Sequence, residues 1–435
     1  MSDSTEARFR ATARGYLKVL IIAPYYDRNV PGESWSTYKW IEGISAACDT
    51  TVLTCHRTGW DSSKSPTAAT ELINFEDRRI PGLKGRIEQE LKLGYVFFYF
   101  KARRWIREAL KAGRRFDLIH QINPLALRYP SPAVGFGIPF VIGPLAGSLE
   151  TPTGFQDAAK ERTWFRKLRG LDRFRIANDP WLRKTYSEAA AIIGVAPYVQ
   201  ELLQPCAPKR FEIMAETGVE EVSEKVKVGP APGEPLRLLF VGRIIRTKGI
   251  LDGIRALALC PDTVNVRLDV VGAGDLLETC KAEVERLGIM DKVTFHGRLS
   301  RDEVFEWYRR SHVFLFPSFR EPSGNVVFEA MSQGLPVITS TVGGPGYVVD
   351  ESCGFLVEPA DPESYAHHLA AIITTLANQP TEIVHLSAGA VRRMDLLAFW
   401  PRKIEAINQL FLEILSLSTS TNKIKNSTIV SYKKY

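Results

Sequence analysis

The chain has 435 residues, of which 45% are hydrophobic and 24% charged. It is too long for one ordinary core and has the composition of a water-soluble globular protein. No apolar run approaches the roughly 18 residues needed to cross a bilayer. Six scattered cysteines (Cys48, Cys55, Cys206, Cys260, Cys280, Cys353), with no CxxC pair, argue against a disulfide framework or a zinc site. The net charge of +7 is uneven: residues 1–230 hold 34 Lys and Arg against 26 Asp and Glu, and residues 231–435 hold 22 against 23.

The opening stretch MSDSTEARFRATARGYLK is polar and lacks the apolar centre of a secretion signal, so a cytoplasmic location is expected. LKVLIIAP (17–24) is a near-continuous apolar run, typical of a strand buried on both faces. PYYDRNVPGESW (24–35) follows, with Gly32 suited to let the backbone approach a diphosphate. A helix is predicted over 35–47, a strand at TVLTCH (51–56) and a second helix over 87–112. Overlapping that helix, LGYVFFYFKARRWIREALKAGRR (93–115) joins aromatics to a basic run. Such a face suits an anionic membrane surface. No zinc-finger or RNP sequence accompanies the charge, so no nucleic-acid partner is expected. DLIHQI (117–122) places His120 at a strand end facing a cleft, and Asn123 follows; both are candidates for sugar or acceptor contact. FVIGP (140–144) and AAIIGVA (190–196) complete a set of strands alternating with helices, the pattern of a parallel doubly wound sheet.

After a Pro/Gly stretch, VGPAPGEP (228–235), the pattern restarts. LRLLFVGR (236–243), VRLDVVGAG (266–274), KVTFHGR (292–298), HVFLFPS (312–318) and PVITS (336–340) read as a second set of strands. The two α/β units join near 213–218, and open α/β sheets bind ligands beyond the carboxyl ends of their strands. In VGRIIRTKG (241–249), Arg243 and Lys248 lie five residues apart across a turn. Together they suit one diphosphate, Arg as a fork and Lys as a compact charge. Fixed cations stabilise the charge that builds on a departing diphosphate. VVGAGD (270–275) lacks the third glycine of a dinucleotide fingerprint and reads as a tight turn at Gly272 lining a nucleotide pocket.

The most informative segment is FPSFREPSGNVVFEAMSQGLPVITSTVGG (316–344). It reads as strand, loop, helix, strand. The helix starts at a Ser-Gly-Asn turn, so the N–H groups of Gly324, Asn325 and Val326 lack intrahelical partners and offer a seat for phosphate. Glu321 lies in the loop and Glu329 in the helix, and a carboxylate accepts from neighbouring hydroxyls, as on a sugar or ribose. Phosphate donors beside hydroxyl acceptors suit a nucleotide sugar. No HExxH or other metal-ligand spacing is present, so no metal or other cofactor is expected. Residues 398–417 have helical periodicity, and the Ser/Thr/Asn/Lys-rich 418–435 reads as a disordered basic tail.

Taken together, VGRIIRTKG, VVGAG, VTFHGRL and the 316–344 segment resemble the family 4 glycosyltransferases of the GT-B fold. The second half is similar to their donor domain nearly throughout. The resemblance implies two Rossmann-like domains facing across a cleft, divided as 1–214, 215–396, a helix over 397–417 returning to the first domain, and the 418–435 tail. It implies a retaining hexosyltransferase that moves a sugar from a UDP- or GDP-linked donor to a glycan or lipid-linked acceptor in cell-surface polysaccharide synthesis, peripheral at the inner face of a membrane. Glu321 and Glu329 match its E-x7-E motif, Glu321 contacting the transferred sugar and Glu329 the ribose. Arg243 and Lys248 would grip the diphosphate, with Gly324, Asn325 and Val326 offering backbone contacts and Leu299 lying against the base. The first half departs from the pattern: GPLAGSLETP (143–152) replaces two glycines of a GPxGGG-type loop, Gly32 stands where many members have Gly-Gly, and Ile122 stands where a His is often found. Two other readings fit the same residues: a nucleotide-sugar epimerase of this architecture, and a non-catalytic nucleotide-sugar-binding protein.

Overall fold

The computed structural model describes residues 16–30, 32–55, 70–75, 94–157 and 163–431, with side chains described except at 70, 163–169 and 418–431. Most of the opening stretch (1–15) and the start of the predicted 87–112 helix lie outside the described residues.

Seven strands form the first sheet: β1 (Lys18–Ile22), β2 (Asp49–Thr54), β3 (Thr70–Asn74), β4 (Leu118–Gln121), β5 (Phe140–Leu145), β6 (Ala191–Gly194) and β7 (Phe211–Ile213). Six form the second: β8 (Leu236–Val241), β9 (Val266–Val271), β10 (Val293–Gly297), β11 (Val313–Phe316), β12 (Val337–Ser340) and β13 (Gly354–Val357). The orders are β3-β2-β1-β4-β5-β6-β7 and β10-β9-β8-β11-β12-β13, and every pair is parallel. Parallel strands carry helices on both faces, which is why Val19, Leu20, Ile21 and Ile22 are all fully buried despite alternating direction. The strand order reverses between β1 and β4 and again between β8 and β11. Those switch points open a crevice beyond the carboxyl ends of the strands.

The helices that matter for the site are α1 (Glu33–Ala47), α2 (Gly94–Lys111), α3 (Thr163–Asn178), α4 (Pro180–Glu188), α5 (Arg301–Arg310), α6 (Asn325–Ser332), α7 (Gly343–Val348) and α8 (Trp400–Ser431). From α8, Ile407, Leu410, Phe411 and Ile414 pack among Val19, Ile21, Trp40 and Ile44, so this part of α8 lies against the first sheet. Helical backbone continues to Ser431, where the sequence suggested a disordered segment from 418. Extending a helix already anchored over 400–417 requires no new nucleus.

The two halves touch through the loop after β5. Arg320 Nη1 donates to Thr151 Oγ1 at 2.9 Å, and the Phe155 ring packs on Phe319 with centroids 4.3 Å apart. Arg246 lies over both rings, 5.4 and 5.2 Å from their centroids, and forms an ion pair with the fully buried Asp252.

Candidate functional site

At the second switch point, the loops after β8 and β11 run side by side. Ser318 Oγ donates to the Thr247 carbonyl at 2.9 Å and ties them together. Lys248, leaving the first loop, meets Glu321 in the second: Nζ contacts Oε2, with side chains only 12% and 15% exposed. The other carboxylate oxygen, Oε1, accepts from the backbone N–H of Ser323 (3.4 Å) and Gly324 (3.2 Å). Glu321 therefore bridges the cation and the start of α6. This revises the sequence expectation in one respect. The Gly324 N–H is already occupied by Glu321, while those of Asn325 and Val326 have no protein partner among the described residues.

The turn itself depends on Gly324, the residue before α6, at φ 83° and ψ 39°. That left-handed conformation is open to glycine without strain, and a Cβ there would fall 2.9 Å from Pro345 Cγ. Gly272 is constrained more strongly. At φ 141°, its Cβ would lie 1.8 Å from the Gly242 carbonyl oxygen, so the turns after β9 and β8 touch backbone to backbone.

The electrostatics favour an anion. Burial pushes the Lys248 ammonium down to about 7, with Arg243 and Arg320 near enough to add to the effect; contact with Glu321 works in the opposite direction. Arg243 is exposed directly after β8 and forms no ion pair among the described residues. Arg243 and Arg320 thus stand near Lys248, which Glu321 joins to the start of α6, where the helix dipole adds further positive character. The sequence reading did not single out Arg320, although its place beside Glu321 was a usable signal.

Glu329 lies one turn into α6, on the same face as Asn325. It is mostly buried, and the Tyr308 hydroxyl of α5 donates to its Oε2 at 3.3 Å. Burial pushes its carboxyl up, while the Arg301 charge pulls it back. Leu299 packs partly buried against the core of the second half. Gly32 precedes α1 on the opposite wall, at φ 87°, with open space where a Cβ would stand.

Two expectations do not hold. His120 does not face a cleft: it is fully buried, its Nε2 is 2.9 Å from the Gly143 carbonyl, and its ring meets Phe411 of α8 edge to face. Burial pushes its imidazole down to about 4, so it is neutral in the native fold. Asn123 is buried as well, with Nδ2 donating to the Tyr25 carbonyl (2.6 Å) and Thr37 Oγ1 (3.1 Å). It braces the loop after β1. Alternating side-chain direction explains the error, because a strand-end residue points to either face of the sheet and His120 points under it. Among the described residues, no group of three or more His, Cys, Asp or Glu could hold a metal ion, and no helix is long and apolar enough to cross a membrane.

Residues 221–381, which include this site, match the family model of glycosyl transferases group 1. An uncharacterized glycosyltransferase of Methanocaldococcus jannaschii is 34% identical over 148 residues, 34% of this chain and 38% of that protein. A D-inositol 3-phosphate glycosyltransferase of Xylanimonas cellulosilytica is 36% identical over 203 residues, 46% of each chain. The chain spans less than half the length of the curated relatives it matches. Over nearly its whole length it has the fold of solved GT-B glycosyltransferases. Sucrose-phosphate synthase from Thermosynechococcus elongatus superposes with a TM-score of 0.62 at 20% identity, covering 92% of this chain and 100% of that one. The lipopolysaccharide outer core galactosyltransferase WaaB gives 0.64 at 14% identity, covering 91% and 99%. Anabaena HepE, solved with UDP and glucose, gives 0.54 at 17% identity, covering 92% and 100%.

Proposed function

We propose that this protein is a glycosyltransferase that takes a sugar from a nucleoside diphosphate donor and transfers it to a hydroxyl, with retention at the anomeric carbon. The observation that carries this reading is the convergence of Lys248, Arg243 and Arg320 with the α6 N-terminus and Glu321 at one switch point. In the reaction, the bond from anomeric carbon to diphosphate oxygen breaks and the electron pair leaves with the diphosphate. The acceptor oxygen forms the new bond, and its proton passes to the departing diphosphate oxygen. Lys248 and Arg243 hold the developing negative charge, an interaction stronger in the transition state than before it. Glu321 now occupies the seat of the anion. When the diphosphate takes Lys248 and the turn N–H groups, the Glu321 carboxylate turns to the sugar hydroxyls. Glu329 accepts from the ribose, Leu299 lies against the base, and Gly32 and Gly272 line the nucleotide pocket. No metal or other cofactor takes part.

Relatives named as glycosyltransferases, and a neighbour solved with UDP, support this reading. Purified protein given a panel of UDP- and GDP-sugars should release nucleoside diphosphate in the presence of acceptor glycans or glycolipids. Glu321→Ala and Lys248→Ala should cut turnover by orders of magnitude with the fold intact. Full activity in both variants would refute the assignment, and an epimerised sugar formed from donor alone would favour epimerase chemistry instead.

We further propose that the acceptor is lipid-linked and that the first domain rests on the anionic inner surface of a membrane. Val96, Phe97 and Phe100 of α2, Phe174 of α3 and Trp181 of α4 are all exposed. The Tyr99 and Trp181 rings stack at 6.0 Å, joining α2 to α4. Arg104, Arg107, Arg173, Arg183 and Lys184 stand exposed on the same helices. Aromatics beside cations suit acyl chains beneath anionic headgroups. The protein should sediment with anionic but not neutral vesicles, and Phe97→Ser/Phe100→Ser/Trp181→Ser should abolish the difference. Equal behaviour of the intact protein with both vesicles would end this proposal.

A further inference from the structure

Glu216 sits in the stretch between the two sheets and is 7% exposed. Its carboxylate Oε1 accepts from Asn325 Nδ2 at 3.1 Å, so it holds the first residue of α6 from below. Its backbone is fixed on both sides. Trp40 Nε1 of α1 donates to the Glu216 carbonyl at 2.8 Å. The buried Lys403 ammonium of α8 donates to the carbonyls of Ala215 and Thr217, beneath the rings of Trp40 and Trp400. Asn325 is thereby moored to a segment that the first sheet's helices grip from both directions. The other end of its amide, Oδ1, is buried without a hydrogen-bond partner. Loss of Glu216 would leave that side chain without a hydrogen-bond partner among the described residues.

From this geometry we infer that Glu216 is a positioning residue for the donor turn, acting through Asn325 to fix the N-terminus of α6 against the hinge between the two halves. The inference rests on the donor reading given above. Keeping a carboxylate here is costly. Burial and the nearby Glu33 push it up to about 7, with the hydrogen bonds to Asn325 and Ser323 and the Lys403 charge only partly compensating; Tyr198 feels its charge as well. An amide would fill the same space without that cost, and perturbed buried groups of this kind cluster at functional sites. The other contacts near it are already committed. Glu33 accepts from the Tyr25 hydroxyl at 2.5 Å and the Leu125 N–H at 2.9 Å, while Glu216 reaches the donor turn through Asn325 and, beside it, Ser323.

The test is calorimetric titration of the full chain with UDP and GDP, alongside thermal melts. Glu216→Ala should weaken the better-bound nucleotide about tenfold, Asn325→Ala should weaken it by no more than that, and the double variant should be no weaker than Glu216→Ala alone. Glu216→Gln keeps an acceptor in place and should restore affinity to within about threefold of the parent protein. A purely structural role would lower the melting temperature without moving affinity. Binding within twofold of the parent in Glu216→Ala, or failure of Glu216→Gln to rescue, would overturn the inference. If the parent protein binds neither nucleotide, the donor reading falls and this inference with it.

Discussion

Replacing Lys248 with alanine removes the ammonium that reaches from the first loop to Glu321 in the second. A hydrogen bond to a charged partner contributes roughly 1.5–3 kcal/mol, and each 1.4 kcal/mol is a factor of ten in affinity. The variant also leaves Glu321 without its cation while its Oε1 still holds the Gly324 N–H, so the carboxylate competes with any phosphate at α6. Nucleoside diphosphate binding should therefore weaken roughly 10- to 100-fold. The paired change Lys248→Ala/Glu321→Ala should bind more tightly than Lys248→Ala alone, because the competing carboxylate is gone. Calorimetry at fixed salt measures both, with a thermal melt to show that each variant is folded. Lys248→Ala binding within twofold of the parent, or no gain from removing Glu321, would refute the reasoning.

Affinity for the diphosphate should fall as pH rises above about 7, because burial and Arg243 favour loss of the Lys248 proton; Lys248→Ala should lack that slope. The folded His120 is held below its unfolded pKa, to about 4. Its contribution is thus complete above the unfolded value of about 6.5 and is lost as pH falls toward 4, by about 3 kcal/mol in all. Denaturant melts of His120→Leu should show a shallower loss between those limits, with turnover at neutral pH preserved; unchanged acid sensitivity would contradict the assignment. Gly272→Ala should cost roughly 2–4 kcal/mol from positive φ and the clash with Gly242, read as a lower melting temperature.

Much of the fold was legible in the sequence because parallel strands buried on both faces leave continuous apolar runs. LKVLII, VVGAG and VFLF all announced themselves in this way. The three strands that sequence reasoning missed, β3, β7 and β13, are each the edge of a sheet. Edge strands need less hydrophobic length, and β7 has only Phe211 to Ile213. The second-half site was readable because its chemistry is local: Arg243 and Lys248 share one loop, and Glu321, Gly324 and Glu329 share one turn and helix. What escaped was set by tertiary placement. No sequence signal told which face of β4 His120 takes, and nothing near Glu216 in the chain announces Asn325, 109 positions away. Neither could the Lys248–Glu321 contact be read from a spacing of 73 residues.

The most direct test is a crystal structure of the protein with UDP or GDP bound. The diphosphate should lie between Lys248 and the N–H groups of Gly324 and Asn325, with the Glu321 carboxylate displaced from the ammonium it now contacts. A nucleotide seated elsewhere, with the Lys248–Glu321 contact intact, would contradict the central claim.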